Sequence, residues 1–233
     1  MPSDRPVVAP QDPVEDLIYR FSHDLRASTR AIAQLPSWIS EDLADAGIEL
    51  PDGPAESFAL LQVHTQRLDD MIQGLLALSR AGMADQKPVP LAGCLSLARD
   101  TVEMPKGVLL RIRCDASRAF SNETDLVMAV GHLLSNAVVH HPATPYITVL
   151  GRAVGDMVEV WVRDNGPGIP VAQRENVLKP MVKLQSRDDS PGPGMGLAIV
   201  DKIARKHGGS FDIFDPPHGR RGTAVRLRLP IAQ

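Results

Sequence analysis

Val14, Ile18, Phe21, Leu25, Ser28, Ile32, Leu35 and Ile39 follow one another at alternating gaps of four and three. That spacing is a heptad seam of a and d positions, so the N-terminal part of the chain must form a long helix that buries one stripe against other helices. With Phe21 and Ser28 at d, His23 falls at f, directly away from the seam, and Asp24 falls at g beside it. A core-filling histidine has no place at f. The pair reads either as a solvated His-Asp surface or as an imidazole with an adjacent carboxylate, and the rest of the chain has to decide between them.

The helix is expected to begin where Asp12 and Pro13 can serve as N-cap and first helical residue, after a proline-rich lead-in over residues 1–13 that is expected to be disordered. It should run to about Ala46, kink one turn before Pro36, and end with Gly47 as its C-terminal cap. After turn residues 47–54, a second apolar stripe follows: Phe58, Leu61, Leu68, Ile72 and Leu75, widened by Leu60, Met71 and Leu78. Burying a large apolar side chain stabilises by roughly 1.5–3 kcal/mol. Two helices with faces this wide are best satisfied as a four-helix bundle built from two chains, which makes a homodimer the expectation for residues 14–82. A monomeric hairpin packed on the rest of the chain is the alternative.

The helical period stops after Arg80, and residues 83–88 read as a linker to a second domain at 89–233. There the pattern alternates short strands with helices. Val108–Arg113, Tyr146–Val154, Met157–Arg163, Ser210–Phe214 and Thr223–Leu229 alternate apolar and polar residues as half-buried strands do, and Asp125–Val139 and Met195–His207 read as helices. The implied architecture is an α+β layer, with helices on one face of a mixed sheet.

Composition removes several functions. The formal charge is −3 with only 4% aromatic residues, which gives no support to nucleic-acid binding. Cys94 and Cys114 have neither CxxC spacing nor histidine neighbours, against zinc and against a disulfide framework. No apolar run approaches the ~20 residues of a membrane span, so a cytoplasmic chain without a membrane segment is expected.

Three motifs occur in order in the second domain: HLLSNAVVHH at 132–141 on a helix, DNGPGIP at 164–170 leaving a strand, and GPGMGLAIV at 192–200 running into a helix. The third has a direct physical reading. Gly192, Gly194 and Gly196 permit close backbone approach, and the amides opening the next helix can face an anion, as at phosphate sites.

Together with the upstream HDLR, these motifs resemble the bacterial two-component sensor histidine kinases, and KLQSRDDSPGPGMGLAIVDKIARKHGG resembles their phytochrome-like branch. The resemblance implies a dimerising histidine-phosphotransfer hairpin followed by a Bergerat-type ATP-binding domain like that of gyrase B. It implies that His23 accepts the phosphoryl group, that Asp24 is the general base, and that Asn136 is a Mg2+ ligand. It implies that Asp164 accepts from the adenine amino group, that Gly166 and Gly168 shape the adenine pocket, and that Gly192, Gly194, Gly196 and Leu197 form the phosphate edge. Residues 179–193 would be a mobile lid.

The chain departs from that pattern at several positions. His132 replaces a usual asparagine, and Val139 a frequent lysine or arginine; Lys183, Arg187 or His140 are the cations that could compensate. Ser28 replaces a usual proline, Ala27 stands where many relatives have Thr or Asn, and Leu178 and Met181 replace common phenylalanines. The expected function is an ATP- and Mg2+-dependent protein-histidine kinase that phosphorylates His23 and passes the group to an aspartate on a separate response-regulator receiver domain. Its sensory input would come from a domain not seen in this sequence or from another protein. The alternative is a phosphotransfer protein of the same fold without useful ATP binding.

Overall fold

The computed structural model describes residues 13–49, 51–116, 118–141, 143–184 and 192–232, without the side chains of 13–20 and of His23. Apart from Pro13, the expected lead-in lies outside the described residues. The chain divides into two compact units, residues 1–79 and 80–233.

The first unit is helical: α1 (Pro13–Asp45) and α2 (Asp52–Arg80). Gly47 closes α1 as its sequence suggests. It adopts φ +71°, its N–H donates to Ala44 O at 2.9 Å, and Ile48 N–H reaches back to Leu43 O at 2.8 Å, the paired bonds that satisfy the last carbonyls of a helix. Pro36 lies inside α1, and the helix continues past it. Arg26 Nη2 donates to Gln73 Oε1 at 2.6 Å, linking the two helices.

The burial pattern differs from the expected seam. Among the described side chains of α1, the buried positions are Ser22, Thr29 and Pro36, seven residues apart and one position beyond d. Of the seam itself, Leu25 is half-buried, while Phe21 is 60% exposed, and Ile32, Leu35 and Ile39 are exposed with Trp38 beside them. On α2, Thr65, Ile72, Leu76 and Ser79 are buried, whereas Leu60, Leu61 and Leu68 are exposed. Among the described residues, Phe21, Ile32, Leu35 and Ile39 of the seam are therefore left uncovered in the single chain.

In the second unit, strands β2 (Leu109–Cys114), β4 (Tyr146–Val154), β5 (Met157–Arg163), β6 (Ser210–Phe214) and β7 (Ala224–Pro230) form one sheet in the order β2-β4-β5-β7-β6. The β2/β4 pair is parallel and the others are antiparallel. Val158, Val160 and Val162 of β5 and Val225, Leu227 and Leu229 of β7 point to one side, where Leu126, Leu134, Ile199 and Ile203 of the helices are also buried. Three helices, α3 (Leu91–Asp100), α4 (Glu123–Val139) and α5 (Gly196–Lys206), complete the sandwich. A small antiparallel pair, β1 (Lys87–Pro90) with β3 (Arg118–Ser121), forms a separate sheet, bridged at Ala119 to Ile231 just after β7. β1 starts inside the stretch expected to be linker.

Candidate functional site

Asp164 follows the last residue of β5, and everything around it is fitted to its backbone and carboxylate. Oδ1 accepts from Gly166 N–H at 2.8 Å and from Thr223 N–H at 3.1 Å, and Asp164 N–H donates to Thr223 O at 3.0 Å. A Cβ on Gly166 would stand 2.9 Å from that Oδ1, so the turn closes on the carboxylate only because residue 166 has no side chain. Gly168 at φ +84° approaches Gly222 O to a distance where a Cβ would sit at 2.9 Å, and a Cβ on Gly222 would overlap Asp164 O. Burial pushes the Asp164 carboxyl above the usual carboxylate range, against the pull of the Gly166 and Thr223 hydrogen bonds and of the nearby His141.

α4 forms a second wall. Asn122 caps it, its Oδ1 accepting from Thr124 N–H at 2.9 Å and Asp125 N–H at 3.3 Å. Asn136 is half-buried, Val139 is 41% exposed, and His140 is exposed at the C-cap. His132, one turn before Asn136, has its ring in partial burial, which pushes its pKa below the ordinary 6.5. Its Nε2 is buried with no hydrogen-bond partner among the described residues. His141 Nδ1 accepts from Ala143 N–H at 3.1 Å, and its buried Nε2 likewise lacks a partner among the described residues.

The start of α5 forms the third wall. Among the described residues no side chain caps it, and no acidic residue stands in its first turn, which leaves its opening amides suited to an anion. A Cβ on Gly196 would lie 3.4 Å from His132 Nδ1, which brings this helix opening against α4. Leu197 is half-buried beside it. Gly194 (φ +75°) lies against Val182 O and the Lys183 stem, and its carbonyl accepts from Met181 N–H at 3.0 Å, with Met181 itself at φ +64°. The two ends of the expected lid are thus joined. A Cβ on Gly192 (φ +78°) would meet nothing within 4 Å among the described residues, and residues 185–191 of that lid, Arg187 included, lie outside them.

These walls fit a nucleoside triphosphate: a recessed carboxylate for an exocyclic amine, uncapped helix amides and an unpartnered imidazole nitrogen for phosphate, and a half-buried amide side chain for a hard cation. Sequence reasoning missed Gly222 and Thr223, which complete the Asp164 turn from 58 and 59 residues away; their only trace is a Gly-Thr pair before the last strand. His141 was also missed. His23 and Asp24 belong to α1 in the other unit, where Asp24 is exposed and the His23 side chain lies outside the described residues.

The family described as histidine kinase-, DNA gyrase B-, and HSP90-like ATPase matches residues 121–233. The sensor-like histidine kinase SenX3 of Mycobacterium tuberculosis is 29% identical over an alignment of 227 positions that covers 92% of this chain and 53% of SenX3. The chain therefore spans about half the length of that relative. Among solved structures, the mycobacterial sensor histidine kinase MprB superposes with a TM-score of 0.55 at 26% identity, over 63% of this chain and 97% of that one. Full-length ShkA in complex with AMPPNP gives a TM-score of 0.67 over 94% of this chain and 46% of that one; at 19% identity this is a likeness of fold.

Proposed function

Because the chain belongs to the bacterial two-component sensor histidine kinases, we infer that it is an ATP-dependent protein-histidine kinase acting on its own His23. The observation that carries the reading is the convergence, in one unit, of Asp164 held by Gly166 and Thr223 with the uncapped opening of α5 beside His132. The carboxylate accepts from the adenine amino group, which guanine cannot offer at that position. The α5 amides and His132 face the phosphates, with Gly192, Gly194 and Lys183 along the same edge and His140 at the α4 end. A divalent cation arriving with ATP would take the Asn136 amide oxygen as its protein ligand and offset phosphate charge.

In the reaction, an imidazole nitrogen of His23 forms a bond to the γ-phosphorus as the bond to the bridging oxygen breaks and ADP leaves with that electron pair. Asp24 takes the imidazole proton. The P–N bond is later exchanged for a P–O bond to an aspartate of a separate receiver domain. The uncovered face carrying Phe21, Ile32, Leu35 and Ile39 is the homodimer seam, closing a four-helix bundle with a second copy. A cytoplasmic location, where ATP is present, belongs to the same reading; among the described residues no helix is long and apolar enough to cross a membrane.

The second reading, a phosphotransfer protein that binds ATP poorly, rests on Val139, a neutral and exposed residue on the helix that carries Asn136. Incubation of the purified chain with γ-labelled ATP and magnesium, followed by acid and base treatment, separates the two. Acid-labile, base-stable label is the expected result; a folded chain that takes up no label would contradict the kinase reading, and one that also binds ATP poorly would favour the second.

A further inference from the structure

Ser121, His207 and Asp125 form a buried chain of hydrogen bonds that the nucleotide site does not use. His207 is 1% exposed, Asp125 4% and Ser121 fully buried. His207 Nε2 lies 3.1 Å from Asp125 Oδ2, and its Nδ1 lies 2.8 Å from Ser121 Oγ. Facing a carboxylate, Nε2 carries the proton; in the neutral ring Nδ1 then accepts from the Ser121 hydroxyl. Burial of all three side chains leaves no access for a substrate, so the Ser-His-Asp order has no nucleophilic role here.

Its placement is informative. Asp125 stands in the first turn of α4, and His207 is the C-cap of α5. The imidazole thus pins the start of one ligand-bearing helix to the end of the other, and ties both to β3 through Ser121. Asn136 lies eleven residues from Asp125, and Gly196 eleven from His207, about 16 Å of helix in each case. The pin and the phosphate edge therefore occupy opposite ends of the same helix pair, whose far contact is Gly196 against His132. Apolar packing alone along α4 and α5 tolerates sliding and rotation, whereas a buried imidazole with a partner on each nitrogen holds only in one register.

We propose that His207 is a positioning residue for nucleotide binding: by joining Asp125 to Ser121 it fixes the register of α5 against α4, and so holds the α5 amides and Asn136 where a triphosphate can meet both. This rests on the nucleotide reading above. The pin governs the phosphate edge and leaves the adenine pocket at Asp164 untouched, which gives the role a distinctive readout.

The test is the double variant Asp125→Leu/His207→Leu, in which a buried polar pair is replaced by apolar groups, a change that is often neutral for stability. Thermal melting, calorimetric titration with Mg-AMPPNP and with adenosine, and amide hydrogen exchange are measured on the full chain. The expected result is a melting temperature close to wild type and unchanged adenosine affinity. AMPPNP affinity should fall about fivefold, with faster exchange at residues 196–200. Unchanged AMPPNP affinity and exchange, or equal losses for adenosine and AMPPNP with a lowered melting temperature, would overturn the proposal. A wild-type chain that binds no AMPPNP would remove the kinase reading instead, and exchange at the α5 opening would still decide the register claim. If the double variant does not fold, His207→Gln serves, since it can keep one partner only: an AMPPNP loss without an adenosine loss supports the role, and wild-type values in both titrations and in exchange contradict it.

Discussion

His132 lies against the opening of α5: a side-chain carbon on Gly196 would stand 3.4 Å from its Nδ1, and its Nε2 is buried without a partner among the described residues. The ring therefore sits on the helix that carries Asn136, against the opening of α5. His132→Phe fills the same space without a hydrogen-bonding nitrogen. It should leave the melting temperature level or raised and weaken AMPPNP binding by about ten- to a hundredfold, the worth of one hydrogen bond to a charged group. Undiminished affinity in calorimetric titration would remove His132 from the site.

The same ring predicts a pH dependence. Burial holds the His132 pKa below 6.5, so the folded chain binds fewer protons than the unfolded one in the window beneath that value. Its contribution to stability is complete above pH 6.5 and declines as pH falls through the lowered pKa. Nucleotide-free melting scans should show wild type losing stability more steeply than His132→Phe between about pH 7 and pH 5. Parallel curves would contradict the assignment.

Asp164→Asn keeps an oxygen for the Gly166 and Thr223 amides and removes a buried charge whose pKa burial has raised. Folding should be maintained. The amide can still turn its oxygen only one way, so the acceptor for adenine is lost and ATP affinity should drop by tenfold or more, ~1.4 kcal/mol at least. A folded Asp164→Asn chain with wild-type ATP affinity would rule out this adenine pocket.

Val139 is 41% exposed, so a lysine there meets solvent and does not force a charge into the core. Asn136, Val139 and His140 are spaced by three and four on α4, on one helical side. Val139→Lys should tighten ATP binding by up to about tenfold. A folded variant with equal or weaker affinity would show that positive charge at this position does not limit binding.

How far the sequence exposes this architecture depends on how local each signal is. β4, β5 and β6 begin and end where their alternation of apolar and polar residues does. β1 and β3 are four-residue strands, β1 with two prolines, too short for any period to show. α3 carries Leu91, Cys94, Leu95 and Ala98 at helical spacing but spans only ten residues. In α1, the strong a/d period pointed to Phe21 and Ile32, whereas the buried stripe is Ser22, Thr29 and Pro36. Hydrophobicity marks the face left for a partner, and nothing in a helical period marks the polar residues that the single chain buries. In the site, Asp164 and its glycines stand out in one segment, but Thr223 closes the turn from just before β7, and the His207–Asp125 contact joins residues 82 apart.

The kinase reading has the second unit deliver a phosphoryl group to one imidazole on α1. Wild type and His23→Gln are incubated with γ-labelled ATP and magnesium, with AMPPNP titration and sedimentation as controls for nucleotide binding and self-association. Acid-labile, base-stable label is expected on wild type and none on His23→Gln, with nucleotide affinity and association state unchanged, because an f position lies off the seam. Label retained on His23→Gln would contradict it and move the acceptor to another residue.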